Sequence, residues 1–302
     1  MKRILTPLLW GIGMAAVILD SRTAMAGAAE GAAMCLQTLV PGLFPLMVLS
    51  AMLAASLPQG GLVAAGLLGG YPVGAKNAAQ AFQEGRLSRE EAERMAVGCC
   101  CAGPSFLFGV ARELHPGRLW MIYLVSVGAV WLLLSPSGRA GAPRKTATLS
   151  QAIRGSLGAM TQICGWVIWM RSLLAVLDRW VLWALPHWAQ AGVWGVLELT
   201  NGIMALRHVE PDLAFVLGAG MVGFGGLCVM MQARALAGEL SLKLYFPGKV
   251  FQGCLCLLLA AALSRTPLSA PVWFLVAALG GGCAVILRKN KKRCGNPTPV
   301  GV

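Results

Sequence analysis

Gly69-Gly70-Tyr71-Pro72-Val73-Gly74-Ala75-Lys76 is a glycine- and proline-broken turn that carries a lysine between two apolar runs. Before it the chain reads Gly61-Leu62-Val63-Ala64-Ala65-Gly66-Leu67-Leu68, and after it Asn77-Ala78-Ala79-Gln80-Ala81-Phe82. Glycine admits backbone conformations closed to other residues and proline removes a donor, so two half-length helices meet here. Neither half reaches the roughly 20 apolar residues that a membrane crossing requires. Non-helical backbone at membrane depth survives only where protein or a water-filled cavity satisfies its N–H and C=O groups. The stretch therefore predicts the tip of a re-entrant hairpin over residues 61–83, with a site beside it. The same residues come close to the phosphate-binding pattern G-x-x-x-x-G-K-[ST]. That match fails: Ala75 stands at the lysine position, Asn77 replaces the hydroxyl residue, and no β-rich strand precedes the loop.

Composition sets the class. The 302 residues are 57% hydrophobic and 12% charged, with mean hydropathy +0.69, whereas soluble domains carry about 25% charged residues. An all-α, polytopic integral membrane protein in a lipid bilayer follows. The net charge of +13 does not point to nucleic acid, because the cations sit in short inter-helix loops and at the tail rather than along one basic face. Nearly all ten cysteines lie in apolar runs, where cysteine is a small packing residue. Cys254-Leu255-Cys256 and Cys99-Cys100-Cys101 lack zinc spacing, and His115, His187 and His208 lie far from them and from one another in sequence. Neither a metal nor a cofactor is expected.

Along the chain, Met1-Lys2-Arg3 and the apolar residues 4–19 read either as a signal peptide cleaved near Ala24-Met25-Ala26 or as a first transmembrane helix. Both readings put residues 21–30 outside. Residues 1–30 form an N-terminal segment, 31–135 a first unit, 136–149 a cytosolic linker, 150–249 a second unit, and 250–302 two further helices and a basic tail. The first unit holds a span at 32–57 kinked by Pro41 and Pro45, the hairpin, and a short helix opened by the capping box Ser88-Arg89-Glu90-Glu91. An apolar run at 96–110, broken at Gly103-Pro104, and a plain span at 119–134 complete it. The second unit repeats this plan. A long helix at 150–177 precedes a short run at 191–207 broken at Leu199-Thr200-Asn201-Gly202, then a run at 213–231 broken at Gly223-Phe224-Gly225-Gly226. Gly66-Leu67-Leu68-Gly69 aligns with Gly195-Val196-Leu197-Glu198, and Gly74 with Gly202 within one residue.

Charge orients the spans. With the N-terminus inside, seventeen cations, among them Arg86, Arg89, Arg154, Arg234, Lys243, Lys249 and the tail, fall in the cytosol and six outside. The C-terminus is then cytosolic. Span 32–57 runs inward and its counterpart 150–177 outward, so the two units are inverted-topology repeats, each with one re-entrant hairpin. That is the recurrent plan of secondary transporters with a midplane site.

Gly70-Tyr71-Pro72-Val73-Gly74-Ala75-Lys76, Cys101-Ala102-Gly103-Pro104-Ser105-Phe106-Leu107-Phe108-Gly109, Glu198-Leu199-Thr200-Asn201-Gly202, and Gly225-Gly226-Leu227-Cys228-Val229 with Gln232 resemble the sporulation integral membrane proteins of the YlbJ type. These are also called stage V sporulation protein V and belong to the nucleoside-recognition or Gate domain group. The resemblance covers roughly residues 30–265. One difference is that Cys100 and Cys101 stand near the Gly-Pro break, where that group commonly has Asn. The resemblance implies movement of dipicolinate, a planar dianion, across the outer forespore membrane. Nucleoside or nucleobase transport and a non-transporting sporulation scaffold are the alternatives; no constellation of catalytic residues points to an enzyme.

A dianion needs positive potential in a low-dielectric site, which Lys76 and the half-helix N-termini beside Gly70, Tyr71, Pro72, Gly74 and Asn77 can supply. Glu198 lies well inside an apolar run, where an unpaired charge costs about 2.5–3.5 kcal/mol, so it must be paired or protonated. Proton coupling or pairing with Lys76 is expected of it, with sodium as the other candidate coupling ion. Thr200, Asn201, Gly202, Gly103, Pro104, Ser105, Gly225, Gly226 and Gln232 complete the expected solute site. Arg171 and Asp178 share one helix face and are expected to make interfacial or interhelical pairs. The tryptophans at 166, 169, 180, 183, 188 and 194 form an expected outer interfacial belt. An oligomer is compatible with all of this.

Overall fold

The computed structural model describes residues 2–56, 59–104, 106–134, 148–264 and 269–294. Among these residues the secondary structure is helical throughout, without strands. Six helical runs are long and apolar enough to cross a membrane: Ser21–Ala55, Pro116–Leu134, Leu149–Trp180, Pro211–Leu236, Tyr245–Ser264 and Ala270–Lys289. The chain is a polytopic helical membrane protein.

Helix α1 (Lys2–Leu19) is followed after Asp20 by α2 (Ser21–Met34), which runs on through a π-helical turn at Cys35–Leu39 into α3 (Val40–Ser56). Residues 21–30, expected as an external connection, are thus helical. The π turn sits directly ahead of Pro41, whose missing N–H cannot complete the α-ladder, so the kink expected from proline takes the form of a local widening. The 35 residues of Ser21–Ala55 extend for about 50 Å, well beyond a hydrocarbon core of about 30 Å.

Helix α8 (Leu149–Trp180) is comparably long and packs antiparallel on α2: Asp20 meets Arg179, Glu30 meets Arg171, and Cys35 meets Cys164. The contact is close because Gly27 and Gly31 lie against the α8 backbone at Ile168, Arg171 and Ser172, the small-residue spacing that lets helices approach without a hydrophobic drive between them. Arg171 pairs with Glu30 at 2.5 Å, and Arg179 with Asp20 at 3.3 Å. The partner of Arg171 is therefore on another helix, as one of the two sequence readings had it. Asp178 is half-buried, and its Oδ1 is buried without a hydrogen-bond partner among the described residues.

Between these come α4 (Gln59–Gly69), α5 (Val73–Gln83), α6 (Arg89–Cys99), a π turn at Phe106–Val110, and α7 (Pro116–Leu134). Ser88 opens α6 with the expected capping box: the Glu91 N–H donates to Ser88 Oγ at 3.3 Å, and the Ser88 N–H donates to Glu91 Oε2 at 3.0 Å. After α8 follow α9 (His187–Leu197), α10 (Leu199–Ala205), α11 (Pro211–Phe224), α12 (Gly226–Leu236), α13 (Tyr245–Ser264) and α14 (Ala270–Cys294). The main core draws on both halves, from Ala65, Val97 and Leu107 to Leu206, Val216 and Ala260. A smaller core joins Leu39, Leu43 and Met47 to Val73 and to Met160, Ile163 and Val167 of α8. The linker expected at 136–149 lies almost wholly outside the described residues.

Four interruptions position everything that follows. The first lies between α4 and α5, where Gly70 has φ 76° and the Tyr71–Pro72 peptide is cis. The second is non-helical backbone at residues 100–103, starting earlier than the Gly103-Pro104 pair suggested. The third is Glu198 alone, at φ −141° and ψ 115°; the sequence reading put it at 199–202, but those residues already form the first turn of α10 because Glu198 caps it. The fourth is Gly225, whose φ of 85° favours glycine.

Candidate functional site

The four interruptions converge. A β-carbon at Gly70 would lie 3.1 Å from the Gly103 nitrogen, one at Gly225 3.1 Å from the Tyr71 ring, and one at Gly226 3.1 Å from the Leu199 nitrogen. Backbone freed from helical pairing is thus stacked on backbone from the other breaks, which demands glycine at each approach. Gly74 extends the same principle, since a β-carbon there would overlap the Cys99 carbonyl and the Cys100 nitrogen. Gly202, which the internal comparison aligned with Gly74, instead lies against Gly195 of its own helix pair. The two positions share a role in close packing but not a neighbour.

A small cavity of about 40 Å³ opens where the breaks meet, lined by Leu39, Tyr71, Gly103, Glu198, Thr200 and Gln232 among others. It has room for only a few water molecules. Glu198 is 2% exposed. Its Oε1 accepts from the Thr200 N–H at 3.2 Å, and its Oε2 accepts from the Asn201 N–H at 2.7 Å and from Asn201 Nδ2 at 2.8 Å. The carboxylate therefore sits on the N-terminus of α10, where unpaired backbone donors and the helix dipole favour negative charge. Pairing with Lys76 is not observed. Lys76 is half-buried on α5 and directs its Nζ toward Gly155 of α8, away from the cavity.

Tyr71 also borders a second buried cluster. Lys249 of α13 is 1% exposed. Its Nζ donates to the Cys100 carbonyl and, at 2.8 Å, to Gln252 Oε1. It also lies 5.3 Å from the centre of the Tyr71 ring and 5.7 Å from that of Tyr245, within the range at which aromatic faces attract a cation. Gln252 Nε2 donates to Ser126 Oγ at 3.2 Å, which donates in turn to the Tyr123 carbonyl at 2.7 Å. The Tyr71 hydroxyl donates to the Val222 carbonyl at 2.9 Å and lies 3.3 Å from the Tyr123 hydroxyl, which accepts from the Ala102 N–H at 2.5 Å. Tyr245 donates to Cys100 Sγ at 3.1 Å. This network pairs the Cys100 carbonyl and the Ala102 N–H of the second break, which would otherwise be costly at this depth.

Of the residues expected at a solute site, Tyr71, Gly103, Glu198, Thr200 and Gln232 line the cavity, while Gly70, Gly225 and Gly226 pack immediately around it. Pro72 caps α5 and is buried; Pro104 is half-buried at the start of the next helical turn. Asn77 is buried but turned toward α3, where its Nδ2 donates to Ser50 Oγ at 3.2 Å. Asn201 serves Glu198, and Gln232 Nε2 donates to Cys228 Sγ at 3.4 Å. Ser105 lies outside the described residues.

Lys249 corrects the sequence reading, which had placed it in the cytosol; without it the charge balance is sixteen cations against six. It was misplaced because it stands near the start of an apolar helix, where a lysine ordinarily reaches the interface. A usable signal was present in the tyrosines. The chain has three, all in or beside apolar runs, and all three converge on this one network. A second correction concerns His187 and His208, whose ring centres lie 5.9 Å apart despite their separation in sequence. Among the described residues, no three histidine, cysteine or carboxylate side chains come together as metal ligands.

Comparison of the chain with protein-family models, curated proteins and solved structures found no match. The class is defined by fold and site alone: a polytopic helical membrane protein whose interrupted helices meet around a buried carboxylate.

Proposed function

We propose that the protein is a secondary or passive transporter of a small anionic metabolite, built from two inverted repeats with one re-entrant hairpin each. The observation that carries this reading is the convergence of four helix interruptions on a small, largely apolar cavity that holds the buried Glu198 carboxylate, since irregular backbone at that depth is tolerated where it is buried in protein or lines a solute path. The repeat is supported by the order of elements: a long helix, a short broken pair, a broken span and a plain span occur in α2–α7 and again in α8–α13. The antiparallel packing of α2 on α8 supports the inversion. At about 40 Å³ the cavity is far below the roughly 300 Å³ at which small-molecule pockets begin, so transport requires it to widen.

Dipicolinate, crossing the outer forespore membrane, is the favoured solute on the strength of the motifs around Tyr71, Gly103, Glu198 and Gly225. Glu198 is the candidate proton carrier, and the protein is a carrier rather than an enzyme. A nucleoside is the second reading, favoured by one observation: the cavity wall itself offers a carboxylate, a hydroxyl and an amide but no cation. The test is uptake into proteoliposomes of the purified protein under proton and sodium gradients, with dipicolinate and uridine in parallel. Dipicolinate accumulation is expected, and Glu198→Gln is expected to abolish its dependence on the proton gradient. Uridine accumulation alone selects the second reading. Flux of neither solute overturns transport and leaves a membrane scaffold.

A further inference from the structure

We propose that Lys249 is the cation that receives the carboxylate of the transported anion, and that the Tyr71 ring separates it from the cavity until the site opens. The inference rests on the transport reading and names the group that sets its charge preference.

A buried ammonium is ordinarily matched by a carboxylate, because its desolvation is otherwise poorly offset. Lys249 makes no ion pair among the described residues. Its oxygen ligands are a carbonyl and an amide, both neutral, and two aromatic faces complete the shell. An ammonium has three donors and two of them meet oxygen here, so the shell can take one further acceptor. The positive charge is held in place but not cancelled.

The direction in which that acceptor arrives follows from Tyr71. One face of its environment is the Lys249 ammonium, and the residue also lines the cavity together with Glu198, Thr200 and Gln232. Its hydroxyl is tied to the Val222 carbonyl in the second half of the chain, and Gly225 lies against its ring. A local movement of Tyr71 that breaks that tie frees the ring while Lys249 stays on Gln252 of its own helix. Cavity and ammonium then form one site, positive at Lys249 and occupied at the opposite wall by a carboxylate already engaged with the α10 N-terminus. A planar carboxylate enters with its anionic end toward Lys249. Lys76, facing α8, has no such relation to the cavity.

The test is thermal unfolding of the purified full-length protein in detergent, titrated with pyridine-2,6-dicarboxylate, pyridine-2-carboxylate or uridine. Wild type is expected to be stabilised by the carboxylates. Lys249→Met removes the charge and is expected to weaken dicarboxylate affinity at least tenfold; it also leaves the buried Cys100 carbonyl and Gln252 Oε1 without their donor, so the unliganded variant is expected to melt lower than wild type, and affinity is compared among folded variants. Lys249→Arg is expected to retain most of the affinity. Should Lys249→Met not fold, Gln252→Glu decides: it keeps the lysine but sets a carboxylate beside Nζ, and is expected to lose dicarboxylate affinity similarly. Carboxylate binding that survives in the folded variant overturns the role of Lys249 and leaves transport standing. Wild type that binds uridine but neither carboxylate overturns anion recognition, and wild type that binds no solute overturns both readings.

Discussion

The break at residues 70–72 and the break at Glu198 are each the point where two short helices meet, yet their chemistry is opposite. At the first, α5 begins at Val73 without a side-chain cap, Tyr71 reaches across to Val222 and Tyr123, and the nearest buried charge is the Lys249 ammonium. At the third, Glu198 supplies the cap itself, and its carboxylate takes up two backbone donors and an amide. Like geometry therefore produces a wall that is still open to negative charge and a wall already satisfied by it. Under the proposed anion transport, a solute between them would be drawn to one side, a direction that matching helix plans alone would not give.

The largest effect on this contrast is expected from glycine positions where backbone meets backbone. Gly74→Leu drives a side chain into the Cys99 carbonyl and separates α5 from the second break; loss of more than about 3 kcal/mol is expected, beyond ordinary overpacking, read as loss of monodisperse protein in detergent. Gly202→Ala tests the other side against Gly195 and is expected to cost about 1–3 kcal/mol in thermal unfolding. A wild-type melting temperature for either would mean that the helices at that break can slide apart freely.

Glu198→Ala removes the satisfied wall. Orphaning the Thr200 and Asn201 donors in a buried site is expected to lower stability by roughly 1–3 kcal/mol. An unchanged unfolding midpoint would show that the carboxylate does not hold α10. Tyr71→Phe deletes the tie from the open wall to the second half and is expected to cost about 1 kcal/mol, the value of one hydrogen bond. It should also speed alkylation of Cys100 and Cys101 behind it; protection equal to wild type would argue against the ring as a barrier.

The smallest effect distinguishes a buried cap from an exposed one. Glu210 caps α11 much as Glu198 caps α10, its two oxygens accepting the Asp212 and Leu213 N–H groups at 3.1 and 2.9 Å. These backbone donors hold its carboxyl below the ordinary glutamate range. A lowered folded-state value means stabilisation present above the unfolded pKa of about 4.3 and lost as the pH falls through the folded value. Glu210→Gln is therefore expected to unfold slightly earlier than wild type at pH 7 and to match it in strong acid. A difference that persists in acid would assign the effect to packing instead.

Sequence alone determined the features that depend on neighbouring residues. Composition and apolar run length imposed a helical membrane class, the glycine and proline clusters interrupted the helices near Gly70, Gly103 and Gly225, and Ser88 with Glu91 opened α6. The capping box of Thr148 and Gln151 at the start of α8 obeys the same local rule but was not among the sequence expectations. Tertiary structure decided what these local events add up to. Whether a lysine is a surface cation or a buried one depends on what packs around it: Lys249, expected in the cytosol, is buried, and Lys76, expected at the site, is half-buried beside Gly155. Glu198 was expected to need a partner, and the partner proved to be its own helix terminus, because backbone donors two and three residues ahead satisfy a carboxylate more directly than a lysine on another helix. The meeting of four breaks around Tyr71 joins residues more than a hundred positions apart, and only close packing of glycine backbone on glycine backbone brings them together.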